Sequence, residues 1–178
     1  QAKAPELVDL SAETEQTERL YGLNDPVTDV FGRQCLLARR LAESGVRYTP
    51  LVHGVQIGSH SRDDHSDVAG GMARHSREVD QPIAGLLKDL KQRGLLDETL
   101  VVWASEFGRT PGEQGARGRG HHNFGFTVWM AGGGIKGGVV HGATDELGFE
   151  AVEDRHYVTD VPATVMRPTK RGAGRESV

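Results

Sequence analysis

The sequence predicts an α/β fold in which a mostly parallel β-sheet is flanked by helices. Two short and almost entirely apolar segments, 99–104 and 126–131, have the composition of strands buried on both faces. Two longer segments, 27–44 and 70–93, place their apolar residues at helical spacing. Strands that alternate with helices along a chain are typical of a parallel sheet, because each crossover lays a helix against the sheet.

One helix and one strand are predicted in the first half of the chain. The helix over 27–44 is followed by Gly45, and glycine is a typical residue at the end of a helix. The next segment, 46–52, is predicted to be a strand, although Pro50 weakens that assignment because proline cannot donate to a sheet.

The second predicted helix lies between two loops. It covers 70–93 and ends before Gly94, and Pro82 within it predicts either a kink or a new start. The loop before it, 53–69, is rich in His, Asp and Ser, whereas the later loop, 105–125, is long and glycine-rich. Both loops follow predicted strands, which is where binding sites form in open α/β sheets.

The composition limits the classes of protein to which the chain can belong. Its 178 residues fit one domain, and a formal charge of −4 argues against nucleic acid or an anionic membrane as the main partner. No apolar segment approaches the roughly 20 residues that a membrane-spanning helix needs. The single cysteine, Cys35, excludes an intramolecular disulfide framework and a cysteine-rich zinc module.

The two ends of the chain differ from the rest. Residues 1–5 lack both an initiator methionine and a charged-then-apolar signal pattern, so we expect a processed product or a fragment. Residues 167–178 carry four basic groups and one acid, and we expect a basic, disordered tail, with an interaction arm as the alternative. The folded portion is therefore expected to cover 1–166.

The two loops also contain the side chains that could bind a metal. The first holds Asp63 and His65, and an Asp-x-His pair can place a carboxylate and an imidazole on one ion. The second begins with Glu106 and ends at His121, so the loops converge if their strands are neighbours. Mixed ligands of this kind favour zinc, manganese or iron over calcium. Arg109 could bind a tetrahedral oxyanion through a bidentate fork.

Each of these residues also has a purely structural interpretation. A surface histidine or aspartate is most often only solvated. Glu106 could cap the turn that follows a buried strand, and His121 could form a surface pair with His122. Four other histidines show no spacing with further ligands and receive no role: His53, His75, His141 and His156.

Four segments together resemble a known family. Residues 86–103 are similar to the helix, turn and strand that precede the metal site of sulfatases. Ser-Glu-Phe-Gly-Arg-Thr-Pro at 105–111, Gly-Arg-Gly-His-His at 118–122 and the glycine-rich 131–138 closely resemble one branch of that group. This branch is the sulfatase-like family called domain of unknown function 1501, in the alkaline phosphatase superfamily. The stretch from about Pro5 to Met166 resembles its C-terminal part.

The resemblance implies the C-terminal portion of a metal-dependent phosphate or sulfate ester hydrolase, whose sulfatase-like fold is incomplete in this chain. Members of the superfamily bind one or two divalent metals and use a Ser, Thr or modified Cys nucleophile. Asp63 and His65 match the family's Trp-Asp-x-His segment. Glu106 matches a strand-end acid, and His121 matches a later Arg-Asp-His ligand. A small anionic ester would be the substrate, with Arg109 as its candidate contact.

Several departures from the family pattern leave other functions open. Gly120 stands where the family has Asp, and Thr159 and Pro162 stand where relatives often have His. We expect the family's N-terminal half, with its twin-arginine export signal and its nucleophile, to lie outside this sequence, which leaves the localisation open. Little or no catalysis is then expected from this chain alone. The alternatives are a degenerate non-catalytic fragment, a binding or assembly module, or a hydrolase completed by a chain that carries the N-terminal half.

Overall fold

The computed structural model describes residues 4–54 and 64–166, so Asp63 and the predicted tail 167–178 lie outside the described residues. The described helices are Ala4–Val8 (α1), Glu15–Tyr21 (α2), Asp29–Glu43 (α3), Val68–Gln92 (α4) and Asp160–Met166 (α5). The described strands are Leu100–Trp103 (β1), Gly108–Arg109 (β2), His121–His122 (β3), Trp129–Gly132 (β4), Ala143–Thr144 (β5) and Ala151–Glu153 (β6). The chain divides into two compact units: residues 1–95 with 114–118 form the first, and 96–113 with 119–178 form the second.

The first unit is helical, and its core lies between α2, α3 and α4. The buried apolar side chains of this core are Tyr21, Leu23, Phe31, Cys35, Leu36, Val79, Leu86 and Leu90. Two glycines allow the helices to approach closely. A Cβ atom at Gly32 would lie 2.4 Å from the Tyr21 carbonyl oxygen, and one at Gly85 would lie 2.6 Å from the Leu20 carbonyl oxygen. Larger residues at either position would force the packed helices apart.

The two helices predicted from apolar periodicity are present as α3 and α4. The Asp67 side chain caps α4 by accepting a hydrogen bond from the Gly70 N–H at 3.3 Å. Pro82 neither ends nor restarts α4, which is 25 residues long and continues past the proline. None of the helices in the described part of the chain is both long and apolar enough to cross a lipid bilayer.

A buried ion-pair network joins the helices of the first unit. The Arg39 side chain is only 3% exposed and contacts Glu13 at 2.9 Å, Glu43 at 2.8 Å and Asp89 at 3.0 Å. The Tyr21 hydroxyl donates a hydrogen bond to the same Asp89 carboxylate at 3.0 Å. Burial, together with the negative charge of Asp89, raises the pKa of the Tyr21 hydroxyl, which therefore stays protonated as a donor.

The second unit is built from three antiparallel strand pairs. β1 pairs with β4, from Leu100 opposite Gly132 to Trp103 opposite Trp129. The two indole rings stack with their centroids 6.3 Å apart and their planes 3° from parallel. Inside this pair, the chain forms the short pairing of β2 with β3, and β5 pairs with β6 farther along the chain. In chain order, the paired strands β2 and β3 thus lie between the paired strands β1 and β4.

The prediction of a mostly parallel sheet flanked by helices is wrong, because the sheets of the described residues are small, two-stranded and antiparallel. Parallel strands need a crossover of a dozen or more residues, usually a helix. The connection between β1 and β4, residues 104–128, is fully described and contains no helix. The predicted strand 46–52 does not form either. Pro50 cannot donate to a ladder, and most of the segment is exposed, with Tyr48 at 82%.

Candidate metal centre

Two imidazoles and one carboxylate converge in the first unit. The Nε2 atom of His53 lies 2.9 Å from Oε2 of Glu78, and Nδ1 of His75 lies 3.0 Å from the same oxygen. One ligand atom from each of the three residues lies within 4.8 Å of the others. His75 and Glu78 are three residues apart on α4, so they share one face of that helix. His53 approaches them from the chain that follows α3.

The aromatic packing around this cluster fixes its two rings. The His53 ring meets Phe31 edge-on at a centroid distance of 5.2 Å and meets His75 edge-on at 5.7 Å. The His75 side chain is 3% exposed, whereas Glu78 is 27% exposed. Packing therefore holds the imidazole rings in place, and solvent reaches the cluster at the partly exposed carboxylate of Glu78.

The charge of Glu78 is stabilised within the cluster. Burial by itself would raise the pKa of this carboxyl group, because the charged form loses solvation. The hydrogen bond from His75 and the charges of His53, His75 and Arg74 outweigh burial and hold the pKa of Glu78 below its usual value. Glu78 is thus an ionised carboxylate at neutral pH, the form that binds a metal.

The second nitrogen of His75 faces another carboxylate. Its Nε2 atom lies 3.7 Å from Oδ2 of Asp64, and this buried oxygen has no hydrogen-bond partner among the described residues. Gly71 provides the space for Asp64, because a Cβ atom at that position would lie 2.1 Å from the Asp64 Cγ. Arg74 lies near both groups, 3.7 Å from Asp64 and 3.4 Å from the His75 ring.

These residues fit a divalent transition-metal ion. Tetrahedral ligands about 2.0–2.2 Å from an ion lie roughly 3.3–3.6 Å from one another, so the 2.9 and 3.0 Å separations would widen slightly, within the 4.8 Å that encloses all three ligand atoms. His53 Nε2, His75 Nδ1 and the Glu78 carboxylate would be the ligands. With Nδ1 on a metal, Nε2 of His75 would carry a proton, so Arg74, which hydrogen-bonds to Nε2 at 3.4 Å, would turn away and Asp64 would move in from 3.7 Å to accept it. Imidazole with carboxylate suits zinc, and manganese accepts the same mixed set.

The ligands predicted from sequence lie in different parts of the chain. His65 belongs to the first unit, where its Nδ1 atom lies 2.8 Å from Oε1 of Gln114, itself in that unit. Glu106 and His121 belong to the second unit, and both side chains are exposed. Asp63 lies outside the described residues, so the Asp-x-His pair has no described geometry. The predicted metal roles of these four residues stay predictions.

One predicted pair is brought together in the second unit. Arg109 on β2 lies opposite His121 on β3, and its Nη1 atom donates a hydrogen bond to the Arg119 carbonyl oxygen at 3.1 Å. The ring of Phe107 packs against His121 at a centroid distance of 4.8 Å. The neighbouring His122 differs from His121, because it is buried and its Nε2 atom has no hydrogen-bond partner among the described residues.

The residues of the converging cluster received no role from the sequence alone. The His75 and Glu78 pair was visible, since a helix over 70–93 was predicted and residues three apart share a helix face. His53 could not have been found in this way, because it is 22 positions before His75 in the sequence and only the fold brings them together.

Comparison with known protein families gives one result. Residues 1–174 match the family described as "Protein of unknown function (DUF1501)". No curated protein and no solved structure matched the chain. Because the family match covers nearly the whole sequence, the resemblance noted for its motifs is confirmed at the level of the family, and this chain belongs to the DUF1501 family.

Proposed function

We propose that this chain is the C-terminal portion of a sulfatase-like, metal-dependent hydrolase of phosphate or sulfate esters. We also propose that His53, His75 and Glu78 hold its metal ion. The observation that carries the metal assignment is the convergence of two imidazole nitrogens on one carboxylate oxygen. The ester class comes from the motif resemblance at 105–111 and 118–122.

Three protein ligands leave part of the metal's coordination sphere open, which is the arrangement of catalytic rather than structural zinc sites. A bound ion would supply a Lewis acid for the ester oxygen and would lower the pKa of a coordinated water. The protein's contribution is to hold the rings by packing and to orient His75 through Asp64. Glu78 is more exposed than His75, which supports access of a small anion to the metal from the side of Glu78.

The residues predicted from sequence belong to the same proposal as a second group. Superfamily members bind one or two metals, and Asp63 with His65, or Glu106 with His121, would supply metal ligands in place of the converging cluster. Arg109 would contact the anionic ester, because its guanidinium can pair with two oxygens at once. The pairing of Arg109 with His121 across β2 and β3 supports a joint role for these two residues.

Exposed apolar side chains of the second unit favour one alternative, an assembly module. The most exposed are Val140, Tyr157, Met166 and Leu147, with Val140 at 94%. If these side chains form one contiguous patch, such a patch is typical of sites that another chain covers. Sedimentation velocity over a range of protein concentrations tests this alternative. Self-association that is lost in Leu147→Asp would favour it, and a monomer at every concentration would count against assembly with itself.

The metal proposal is tested by calorimetric titration of the metal-free chain with zinc and with manganese. Glu78→Gln keeps the size of the side chain and removes its charge, and His53→Ala removes one imidazole. His121→Ala is the matched variant for the group predicted from sequence. Far-ultraviolet circular dichroism of each variant confirms that the helices are retained.

Each outcome either assigns the bound ion to one group of residues or shows that the chain binds no ion. If the tight binding event is lost in Glu78→Gln and in His53→Ala but kept in His121→Ala, the converging cluster holds the metal. The opposite pattern would transfer the metal to the second unit and overturn our assignment. The absence of binding in the unsubstituted protein would refute the metal proposal and with it the hydrolase for this chain.

A further inference from the structure

A separate pair of histidines meets in the second unit. The Nε2 atoms of His141 and His156 lie 2.7 Å apart, and the two rings are tilted by 37° with their centroids 4.9 Å from each other. His141 lies just before β5, and His156 lies between β6 and α5. Two neutral imidazoles at this distance share one hydrogen bond, in which one nitrogen donates and the other accepts.

Each ring also has a carboxylate at its far nitrogen. Nδ1 of His141 lies 3.7 Å from Oδ2 of Asp154, and Nδ1 of His156 lies 3.6 Å from Oδ2 of Asp160. Asp160 is itself positioned, because its Oδ2 accepts a hydrogen bond from the Tyr157 N–H at 2.8 Å. Metal-binding histidines donate the second ring nitrogen to a carboxylate, and a shift of several tenths of an ångström would bring each of these carboxylates within hydrogen-bond distance.

We propose that His141 and His156 form a second metal site, in which their two Nε2 atoms bind one zinc, copper(II) or nickel ion. Imidazole ligands favour these ions, whereas magnesium and calcium prefer oxygen. Binding of a tetrahedral ion would widen the Nε2 separation from 2.7 Å to about 3.3–3.4 Å, a small change for two exposed rings. Asp154 and Asp160 would keep each Nδ1 protonated and each Nε2 free to coordinate.

The exposure of the pair fits this role. The His141 side chain is 58% exposed and that of His156 is 55% exposed, so an ion can enter from solvent and water can complete its coordination. The pair shares no residue with the cluster of His53, His75 and Glu78, and it lies in the other unit. The two metal sites can therefore be tested independently, and the failure of one leaves the other standing.

The experiment is a zinc titration of the metal-free full chain in the Glu78→Gln background, which removes a ligand of the first centre. His141→Ala and His156→Ala are added to this background one at a time. Asp154→Asn tests the orienting carboxylate, and Glu146→Gln is its matched control because it neutralises another exposed acid of the second unit. A separate titration with magnesium in place of zinc tests whether the site rejects an ion that prefers oxygen ligands.

We expect one zinc ion to remain in Glu78→Gln and to be lost in both histidine variants, with no response to magnesium. Asp154→Asn should weaken binding about 10-fold or more, as loss of an orienting carboxylate does elsewhere, and Glu146→Gln should not. His141→Ala alone should also reduce the zinc bound by the unsubstituted chain by one equivalent. Zinc that persists in both histidine variants, or a Glu78→Gln chain that binds none, would overturn the second site.

Discussion

Gly71 determines where Asp64 can lie, and Asp64 in turn faces the second nitrogen of His75. Through these contacts Gly71, which has no side chain that could bind a metal, becomes part of the proposed metal centre. The same unit contains Arg39, whose charge is almost fully removed from water and is balanced by three acids. At the scale of single residues, the first unit thus depends on close steric fit and on the pairing of the buried Arg39 charge with acids.

Replacing Gly71 with alanine should weaken metal binding. A Cβ atom would lie 2.1 Å from the Asp64 Cγ, so the carboxylate must move away from His75. We expect the zinc affinity to fall about 10-fold or more, the usual effect of losing an orienting carboxylate. Calorimetry measures this change, and Gly112→Ala is the control because its Cβ would meet no atom within 4 Å. Equal affinities in the two variants would show that Asp64 does not orient His75.

Replacing Arg39 with methionine should strongly destabilise the first unit. Glu13 and Asp89 would each lose one of their two positive partners. We expect the free energy of unfolding to fall by about 1.5–3 kcal/mol, the usual contribution of hydrogen bonds to charged groups, measured by urea denaturation. Arg19→Met is the control, because the Arg19 pair with Glu15 is 70% and 72% exposed and its loss should cost about 0.5 kcal/mol or less. Similar losses in both variants would contradict this account of the network.

At the scale of elements, the two longest helices were predicted, whereas α1, α2 and the strand pairing were not. α3 and α4 follow from apolar spacing and from glycines near their ends, which are properties of one short segment. The apolar segments at 99–104 and 126–131 do contribute to β1 and β4, but their direction depends on what connects them. The evidence against parallel pairing was already in the sequence, since the glycine-rich connection offers no crossover helix.

The antiparallel register of β1 and β4 predicts an energetic coupling between two tryptophans. Trp103 and Trp129 are direct partners with stacked rings, whereas a parallel register would place them at opposite ends. A double-mutant cycle with Trp103→Ala and Trp129→Ala should give a coupling of about 0.5–1.5 kcal/mol. The measurement is urea denaturation of the two single variants and the double variant. Additive effects, with no coupling, would contradict the register.

The burial of α3 predicts how stability responds to alkaline pH. Burial raises the pKa of the Cys35 thiol from 9.0 to about 12. The unfolded thiol therefore loses its proton above pH 9 while the folded thiol keeps it, so the free energy of unfolding should fall as pH rises from 9 towards 12. Urea denaturation below and above pH 9 measures the fall. Cys35→Ala should show a smaller fall, and identical pH profiles would contradict a buried thiol.

At the scale of the whole molecule, the chain belongs to the DUF1501 family and consists of a helical unit and a strand-rich unit. The family was predictable because its motifs at 105–111 and 118–122 are contiguous in sequence. The cluster of His53, His75 and Glu78 was not, because its members come from separate segments and meet only when α4 packs in the first unit. This cluster is the proposed metal site.

The most direct test is an anomalous-scattering X-ray structure of the protein crystallised with zinc. We predict an ion about 2.0–2.2 Å from His53 Nε2, His75 Nδ1 and the Glu78 carboxylate, with Asp64 bonded to His75 Nε2–H. A crystal of Glu78→Gln grown under the same conditions should lack that peak. An ion bound by His65, Glu106 or His121 instead, or an anomalous map without a peak at the cluster, would contradict the account.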